Sequence, residues 1–276
     1  MKLGTVLSWI VMLIFSLITL FPFYWMVMTA IMPTSAILAR TPTLFPDFTQ
    51  ASMASFFAVF EKSAFPTWMM NSLIVGGFTT VFSIVVSVLA GYSLSRFSGI
   101  AQQSLGATLL ISKLIPSSLI LIPLFIIYNL SGLLDSYIGL ILANMTISVP
   151  LASWLMKGFF DRIPREIEQA ALMDGATQLQ ALRIVVLPLA RPGIAAATVY
   201  IMLNSWSEFI FARTLVSSPD RQLLTVGMQS FVGEQNVDWQ LLMAAGTVSV
   251  LPAIILFIFL EPFLVNGMTK GALAGT

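Results

Sequence analysis

Long apolar segments alternate with shorter polar segments along the whole chain. An apolar run of roughly 20 residues or more can cross a hydrocarbon layer ~30 Å thick as a helix. Six runs meet this condition and are predicted to be membrane spans, at about 6–31, 68–92, 105–130, 137–156, 192–216 and 239–265. Backbone polar groups in hydrocarbon must be paired within the chain, and no alternating strand pattern is present. The pattern therefore predicts an all-α, polytopic membrane protein.

The polar connections differ in length and character. The external loop at about 33–66 contains prolines and then Phe56, Phe57 and Phe60 at near-helical spacing, which predicts a short helix at the outer interface. A cytoplasmic loop at about 157–191, a second external loop at about 217–238 and a cytoplasmic tail at about 266–276 follow. The first apolar run is too long for a signal peptide and lacks an Ala-x-Ala site, so we expect a retained anchor. We predict a single transmembrane domain over residues 1–276.

The distribution of Lys and Arg predicts the orientation. Six spans place both termini on one side, and that side holds eight of the 13 basic residues. The eight are Lys2, Arg96, Lys157, Arg162, Arg165, Arg183, Arg191 and Lys270. We expect this side, with both termini and the loop between spans four and five, to be cytoplasmic.

Composition narrows the class further. The chain is 58% hydrophobic and 9% charged, with a mean hydropathy of +0.94, which exceeds what a soluble core needs. It has no cysteine and no histidine, so disulfides, His-ligated zinc and Ser-His-Asp triads are excluded, and we predict no metal site. The net charge of +1 gives no basic field for nucleic acid.

The cytoplasmic loop reads as two short helices joined by a turn over residues 163–192. Pro164 suits a first helical position, and Glu166 and Glu168 complement the positive end of the helix dipole. Gly175 suits a left-handed cap, and Thr177 begins a capping box with Gln180. This pattern by itself is also compatible with an ordinary helical loop between spans.

The two short helices have different faces. Ile167, Ala170, Ala171 and Asp174 fall on one nearly flat face of the first helix. Leu179, Leu182, Arg183 and Val186 form a face of the second helix that could rest on the membrane domain.

The same loop carries a family resemblance. The run Ile-Pro-Arg-Glu-Ile-Glu-Gln-Ala-Ala-Leu-Met-Asp-Gly-Ala at 163–176, with Leu-Pro-Leu at 187–189, resembles the EAA loop of ABC importer permeases of the carbohydrate-uptake class. The chain is similar to the smaller permease of maltose-type importers over nearly its whole length. Further matching segments are Pro-Thr-Trp-Met-Met-Asn-Ser at 66–72, Ala-Gly-Tyr-Ser-Leu-Ser-Arg-Phe at 90–97, Gly-Leu-Leu-Asp at 132–135 and Asn-Ser-Trp-Ser-Glu-Phe at 204–209.

The resemblance implies an architecture and partners. It implies a type I ABC importer permease with six transmembrane helices and a cytoplasmic coupling helix, in the bacterial inner membrane with its lipid. The partners implied are a second, larger permease subunit in a heterodimer, two ATPase subunits and an extracytoplasmic solute-binding protein. No Gly-x-x-x-x-Gly-Lys-Ser/Thr run occurs, so we expect ATP and Mg to be bound by the partner ATPases and no cofactor by this chain.

The resemblance also implies roles for particular residues. The ATPase-coupling residues would be Glu168, Gln169, Ala170, Ala171, Asp174, Gly175 and Ala176. The residues of the C-terminal tail that contact the ATPases would be Asn266, Gly267, Lys270 and Gly271. Contacts with the binding protein would come from the outer loop at Gly227, Gly233 and Asp238. The family usually has Glu at the position of Gln169, and Glu168 points about 100° away, so it does not replace the missing carboxylate.

Charged residues inside spans are functional candidates because each costs ~2.5–3.5 kcal/mol to insert. Lys113 and Glu208 qualify, either as a direct pair or separately. Lys113 could face the channel and favour an acidic or phosphorylated sugar, or it could have a structural partner. Asn204 and Trp206 offer an amide and an aromatic face of the kind a sugar pathway uses.

These features predict a transmembrane subunit of an ATP-driven importer of a sugar, either an oligosaccharide or a sugar derivative. The alternative is a permease of the same architecture for a glycerophosphate-like solute, a polyamine or an oxyanion. An intramembrane enzyme is disfavoured because Ser112 and Lys113 point in different directions on a helix and histidine is absent.

Overall fold

A computed structural model describes residues 3–39, 45, 47–233 and 237–273, with the backbone alone for residue 3 and for 265–273. Within these ranges the regular structure is helical, apart from one isolated antiparallel bridge between Val232 and Val237. The all-α prediction is confirmed.

Among the residues that the structure describes, four helices are long and apolar enough to cross a membrane on their own. They are α1 (Leu3–Ile31), α4 (Phe65–Arg96), α7 (Tyr137–Phe160) and α14 (Trp239–Leu273). They correspond to the first, second, fourth and sixth predicted spans, and α4, α7 and α14 each continue beyond the predicted inner end. Two bent helix pairs bring the number of spans to six if each pair crosses once.

The third predicted span is wrong as a continuous helix. It consists of α5 (Ile100–Leu114) and α6 (Ser117–Ser131), whose axes differ by 106°. Ile115 is extended, with φ −83° and ψ 120°, and Pro116 follows it. The proline ring disfavours the α region for the residue before it, which favours a break at Ile115, although Pro22, Pro123 and Pro150 lie inside continuous helices.

The fifth predicted span, 192–216, is also interrupted. The α11 helix (Arg191–Trp206) ends ten residues before the predicted end of the span, and α12 (Ile210–Leu215) follows after a short break. At its inner end, α11 is bent by 79° from the helical segment Gln178–Leu189, with Pro192 in its first turn.

The segments predicted to be external contain short helices. α2 covers Thr34–Ile37, and α3 covers Ala54–Glu61, which confirms the helix predicted from the phenylalanine spacing. α13 covers Leu224–Gly227, between 3-10 turns at Pro219–Arg221 and Met228–Phe231.

The chain divides into two compact units, residues 1–69 with 226–252 and residues 70–225 with 253–276. In the first unit, α1 packs on α3, and the amide of Gln240 donates to the carbonyl of Met32. In the second unit, α7 is central and contacts α5, α11 and α12. Its core contains Tyr92, Ala152, Met156, Phe160, Leu182, Val186, Ala197 and Ile201.

Small residues bring the helices of the second unit close together at their inner ends. A Cβ added at Gly91 of α4 would lie 2.7 Å from the Cβ of Met156 on α7, and one at Gly193 of α11 would lie 2.4 Å from the Phe159 ring. Close approach at small residues is a common way to pack membrane helices. These ends of α4, α7 and α11 therefore pack tightly beside the loop at 157–191.

Candidate functional site

The residues that flank the first helix of the loop at 157–191 determine where that helix begins and ends. α8 covers Arg165–Met173, and Pro164 precedes it as the N-cap with ψ 134°. The prediction that Pro164 would be the first helical residue is therefore wrong by one position, because its backbone is still extended. Glu166 and Glu168 lie in the first turn as predicted. Gly175 has φ +91°, the left-handed conformation predicted for the cap.

The second helix of the loop begins at the predicted capping box. The Gln180 side chain accepts from the Thr177 N–H at 2.7 Å, and the Thr177 hydroxyl accepts from the Gln180 N–H at 3.3 Å. This helix consists of α9 (Gln178–Ala181), a π-helical segment (Leu182–Val186) and α10 (Leu187–Leu189).

The face predicted for the second helix is only partly buried. Leu182 and Val186 lie in the core, whereas Leu179 is 69% exposed and Arg183 is also exposed. The π-helical turn shifts the register of the side chains, so a regular helical face does not extend across it.

Glu168 is buried against the membrane helices. It is 7% exposed, and its carboxylate pairs with the Nε of Arg96 at 2.7 Å. The hydroxyl of Tyr92 donates to the other carboxylate oxygen. Arg96 also donates from Nη2 to the carbonyl of Ile163 at 3.0 Å. One buried ion pair thus joins α8 to the inner end of α4, and we call Tyr92, Arg96 and Glu168 the anchor cluster.

A second set of contacts strengthens the same junction. Arg165 donates to the carbonyl of Ser95 at 2.7 Å, and the Ser95 hydroxyl donates to Asp161 at 2.6 Å. Lys157 pairs with Asp161 at 2.6 Å. Burial by itself raises the pKa of Asp161, but the hydrogen bonds from Lys157 and Ser95 outweigh it and hold the pKa below its usual value. Asp161 is therefore an ionised acceptor that links α4, α7 and the loop.

The exposed surface of the loop follows from this anchoring. Gln169, Ala170, Asp174 and Gly175 are exposed, and Ala171 and Ala176 are half-buried. Glu168 was predicted to be a coupling residue together with these, but its side chain is buried in the protein. The exposed surface of this loop therefore includes Gln169 and Ala170, and the Glu168 carboxylate is not part of it.

Tyr92 and Arg96 were not among the predicted functional residues. Both lie in the segment 90–97, which carried the resemblance but no expectation of a contact. The positive-inside rule by itself already accounts for an arginine at the predicted inner end of a span. The burial of Arg96 beside a carboxylate from a distant loop is visible only in three dimensions.

Lys113 and Glu208 do not pair with each other in the structure. The carboxylate of Glu208 accepts the N–H groups of Phe211 at 2.7 Å and Ala212 at 2.9 Å and so caps the N-terminus of α12. The ammonium of Lys113 donates to the carbonyl of Ile147 at 2.6 Å and to the Tyr200 hydroxyl at 3.2 Å. Each charge therefore has its own set of neighbours.

The two other pathway candidates lie on α11. The Asn204 side chain donates to the carbonyl of Tyr200, one turn earlier, at 3.0 Å, and Trp206 is half-buried at the end of the helix. Their assignment to the pathway stays a prediction.

The residues predicted to contact a binding protein separate into two environments. A Cβ at Gly227 would lie 2.1 Å from the ring of Trp68, so Gly227 is a packing position. Gly233 and Asp238 are exposed and line a cleft of about 460 Å³ together with Thr34 and Trp239. The C-terminal positions Asn266, Gly267, Lys270 and Gly271 lie on the backbone of α14, and their side chains are outside the described residues.

The outer loop of the second unit is held by Asp135. This residue has φ +52°, and its carboxylate accepts from the N–H groups of Ser217 at 3.2 Å and Ser218 at 3.0 Å. The hydroxyl of Ser218 also donates to it, and the guanidinium of Arg221 lies 3.5 Å away. The hydrogen bonds from Ser218 lower the pKa of Asp135.

No cluster of three or more acidic side chains that could hold a metal ion occurs among the residues that the structure describes. The features with chemical meaning in this part of the chain are thus the anchored helix α8, the Lys113 ammonium within a predicted span and the cleft at Gly233 and Asp238.

The chain is similar to curated permease proteins over most of its length. It is 32% identical over 264 residues to the inner membrane ABC transporter permease protein YcjP of Escherichia coli K12, covering 95% of this chain and 94% of that protein. It is 33% identical to the sulfoquinovosyl glycerol transport system permease protein SmoH of Agrobacterium fabrum C58, covering 93% and 89%. It is 32% identical to the maltodextrin transport system permease protein MdxG of Bacillus subtilis 168, covering 79% and 78%.

The fold is shared with a solved importer. A chain of a bacterial ABC transporter involved in the import of the acidic polysaccharide alginate superposes with a TM-score of 0.80 at 22% identity, covering 95% of this chain and 96% of that chain. Residues 83–270 match the family described as binding-protein-dependent transport system inner membrane component. With the apolar helices, these matches identify a multi-pass inner membrane protein, and the chain belongs to that family, as a permease subunit of an ABC importer.

Proposed function

We propose that this chain is one of two permease subunits of an importer of sugars, either oligosaccharides or sugar derivatives, and that α8 is its docking helix for an ATPase subunit. The single observation that carries the coupling role is the anchor cluster, which fixes α8 to α4 while Gln169 and Ala170 stay exposed. Relatives named for maltodextrin, trehalose, diacetylchitobiose and sulfoquinovosyl glycerol, each 30–33% identical, support a sugar as the solute.

The exposed face of α8 fits a cleft on a partner protein. Ala170 and Ala171 have little side chain to exclude a neighbouring surface, and Gln169 offers a hydrogen bond in place of an ion pair. ATP and Mg would be bound by the ATPase partners, and this chain would bind no cofactor and have no enzymatic activity of its own. Closure of the ATPases would move α8, and the anchor cluster would pass that movement to α4.

The remaining partners follow from the two membrane sides. The excess of Lys and Arg supports a cytoplasmic location of both termini and of α8. The outer cleft at Gly233 and Asp238 would then face the solute-binding protein, and the C-terminal residues Asn266, Gly267, Lys270 and Gly271 would extend toward the ATPases. The second permease subunit would complete a heterodimer, with Asn204 and Trp206 contributing to the pathway.

Reconstitution tests this proposal. The chain is co-expressed with the second permease subunit, the ATPases and the binding protein, and uptake into proteoliposomes is measured for neutral, carboxylated, sulfonated and phosphorylated sugars, a polyamine and inorganic sulfate. We expect ATP-dependent uptake of at least one sugar. Uptake of the polyamine or sulfate alone would assign the alternative solute class and refute the sugar proposal.

A bulky substitution tests the docking face. Ala170→Trp places a large side chain on the exposed face of α8 and should abolish co-purification of the ATPases. Ile184→Trp is the matched control, because Ile184 is 70% exposed in the same loop but outside α8. Equal retention of the ATPases by both variants would show that α8 is not the docking helix.

A further inference from the structure

Lys113 places a cation near the middle of the membrane-spanning region. It lies in the last turn of α5, and its Nζ is 2.6 Å from the carbonyl of Ile147. Ile147 is near the middle of α7, about 20 Å from the inner end of that helix at ~1.5 Å per residue. Tyr200 supplies a hydroxyl at 3.2 Å and a ring whose centroid is 5.9 Å from Nζ.

The ammonium of Lys113 forms no ion pair with a carboxylate within the described part of the chain. The ion pairs there join Arg96 to Glu168, Lys157 to Asp161 and Arg221 to Asp135. Glu208, the other charge within the spans, is occupied by the N–H groups of α12. An ammonium group has three N–H donors, and the two oxygens near Nζ accept two of them. One donor and the full positive charge therefore remain for another group.

The backbone next to Lys113 indicates whether this side of the second unit faces lipid or protein and water. The helix break at Ile115 and Pro116 follows immediately, and Leu114 and Ile115 are 82% and 45% exposed. Irregular backbone at membrane depth is tolerated where it is covered by protein or lines a water-filled cavity, and not where it faces lipid. This side of the second unit must therefore face the translocation pathway or the other permease subunit.

We infer that Lys113 is a binding residue of the pathway for an anionic group, a carboxylate, sulfonate or phosphate, carried by the transported sugar. The inference rests on the proposed function, and it names the substrate class. Ile147 and Tyr200 position the ammonium without neutralising it, so a passing anion gains a charge-assisted hydrogen bond. Because no carboxylate has to be displaced first, the site favours an anionic sugar over its neutral counterpart.

The wild-type transporter gives the first test. In the reconstituted complex, uptake is compared between neutral sugars and the carboxylated, sulfonated and phosphorylated sugars of matched size. We expect ATP-dependent uptake of an anionic sugar. Uptake of neutral sugars alone would overturn the inference and leave the proposed function intact, and the absence of any ATP-dependent sugar uptake would overturn both.

Variants at Lys113 give the second test. Lys113→Met should lower uptake of the anionic sugar by about tenfold or more, the range expected for one hydrogen bond to a charged group. Lys113→Arg should keep most of this uptake because it keeps the charge. Lys62→Met is the matched control, since Lys62 is an exposed lysine of the external loop, and it should change nothing.

Assembly of each variant is measured by co-elution of all subunits in detergent. An assembled Lys113→Met transporter with full anionic uptake would refute the inference. If Lys113→Met fails to assemble, the inference is tested by the substrate preference of the wild-type transporter and by Lys113→Arg. Loss of anionic-sugar uptake by an assembled Lys113→Arg transporter would refute the inference.

Discussion

We predict that the ion pair between Arg96 and Glu168 holds α8 to α4, so that the two helices move together. Its side chains are 7% and 9% exposed, so the pair is shielded from water and salt. Glu168→Gln keeps the shape of the side chain and an oxygen that can accept from Tyr92. It removes the negative charge and leaves the Arg96 guanidinium buried without a counterion.

The size of the effect follows from the burial. Removing one partner of a buried pair costs about 3–5 kcal/mol, because the remaining charge is left uncompensated. The amide of Glu168→Gln can still accept hydrogen bonds, so we expect the lower end, about 3 kcal/mol. Since about 1.4 kcal/mol corresponds to a tenfold change, the ratio of docked to undocked α8 should fall by about two orders of magnitude. Removal of both charges in Arg96→Met with Glu168→Met should cost less than either single change.

The chain has no cysteine, so spin labels can be attached to introduced cysteines without background. Labels at Phe97, just beyond α4, and at Met173, which is 88% exposed at the end of α8, report the distance between the two elements. We expect one narrow distance distribution in the wild-type transporter and a broad one in Glu168→Gln. The number of ATP molecules hydrolysed per sugar imported should rise in the same variant.

Glu166→Gln is the matched control, because Glu166 lies in the same turn of α8 and is exposed. It should leave both the distance distribution and the coupling ratio unchanged. The reasoning is refuted if Glu168→Gln behaves like this control, or if the double variant is more damaging than each single one.

The other predictions concern the turn, the docking face and the outer loop. Gly175→Leu forces a side chain onto a residue with φ +91°, at a cost of about 1–2 kcal/mol, and should uncouple ATP hydrolysis from transport. Gly158→Ala is the control, because an added Cβ there meets nothing within 4 Å, and it should leave coupling unchanged. Coupled transport in Gly175→Leu would show that the turn is only an ordinary loop. Gln169→Glu should retain or strengthen co-purification of the ATPases, and weaker binding would contradict a docking role for this position. The pKa of Asp135 is lowered by its hydrogen bonds from Ser218, so its stabilisation of the outer loop is complete above the unfolded pKa of about 4 and is lost as the pH falls through the lower folded pKa. Hydrogen exchange in residues 217–221 should therefore rise below about pH 4 in the wild type, and in Asp135→Asn it should be high at every pH; an unchanged exchange rate in the variant would refute the role of this carboxylate.

Local signals in the sequence were sufficient where the structure depends on neighbours along the chain. The capping box at Thr177 and the left-handed turn at Gly175 each involve atoms a few residues apart, so residue type predicts them directly. The apolar runs predict where helices cross for the same reason. Proline alone did not predict the break at Pro116, because Pro22, Pro123 and Pro150 lie inside continuous helices. High hydropathy on both sides of that break concealed it.

Contacts between distant segments were not predictable in this way. The order of Glu168 and Gln169 shows that the two side chains point in different directions, but not which of them faces the membrane helices. Burial of Glu168 depends on Arg96, a residue 72 positions earlier that is brought to α8 by the packing of α4 on α7. A carboxylate in an exposed motif and one in a buried ion pair have the same local sequence.

Lys113 and Glu208 are equivalent candidates by hydropathy, but the structure shows that their environments differ. Both Lys113 and Glu208 carry the same insertion cost, and both were assigned to the pathway on that ground. The structure shows that the cost of Glu208 is offset locally, because a break before α12 exposes backbone N–H groups and the carboxylate accepts two of them. Glu208 therefore has a sufficient reason to be there without any substrate. Lys113 is held by a carbonyl and a hydroxyl, neither of which balances its charge. A charged residue whose insertion cost is not offset by the protein is the stronger candidate for a role in transport. Of the two residues, Lys113 is therefore the one that we assign to the pathway.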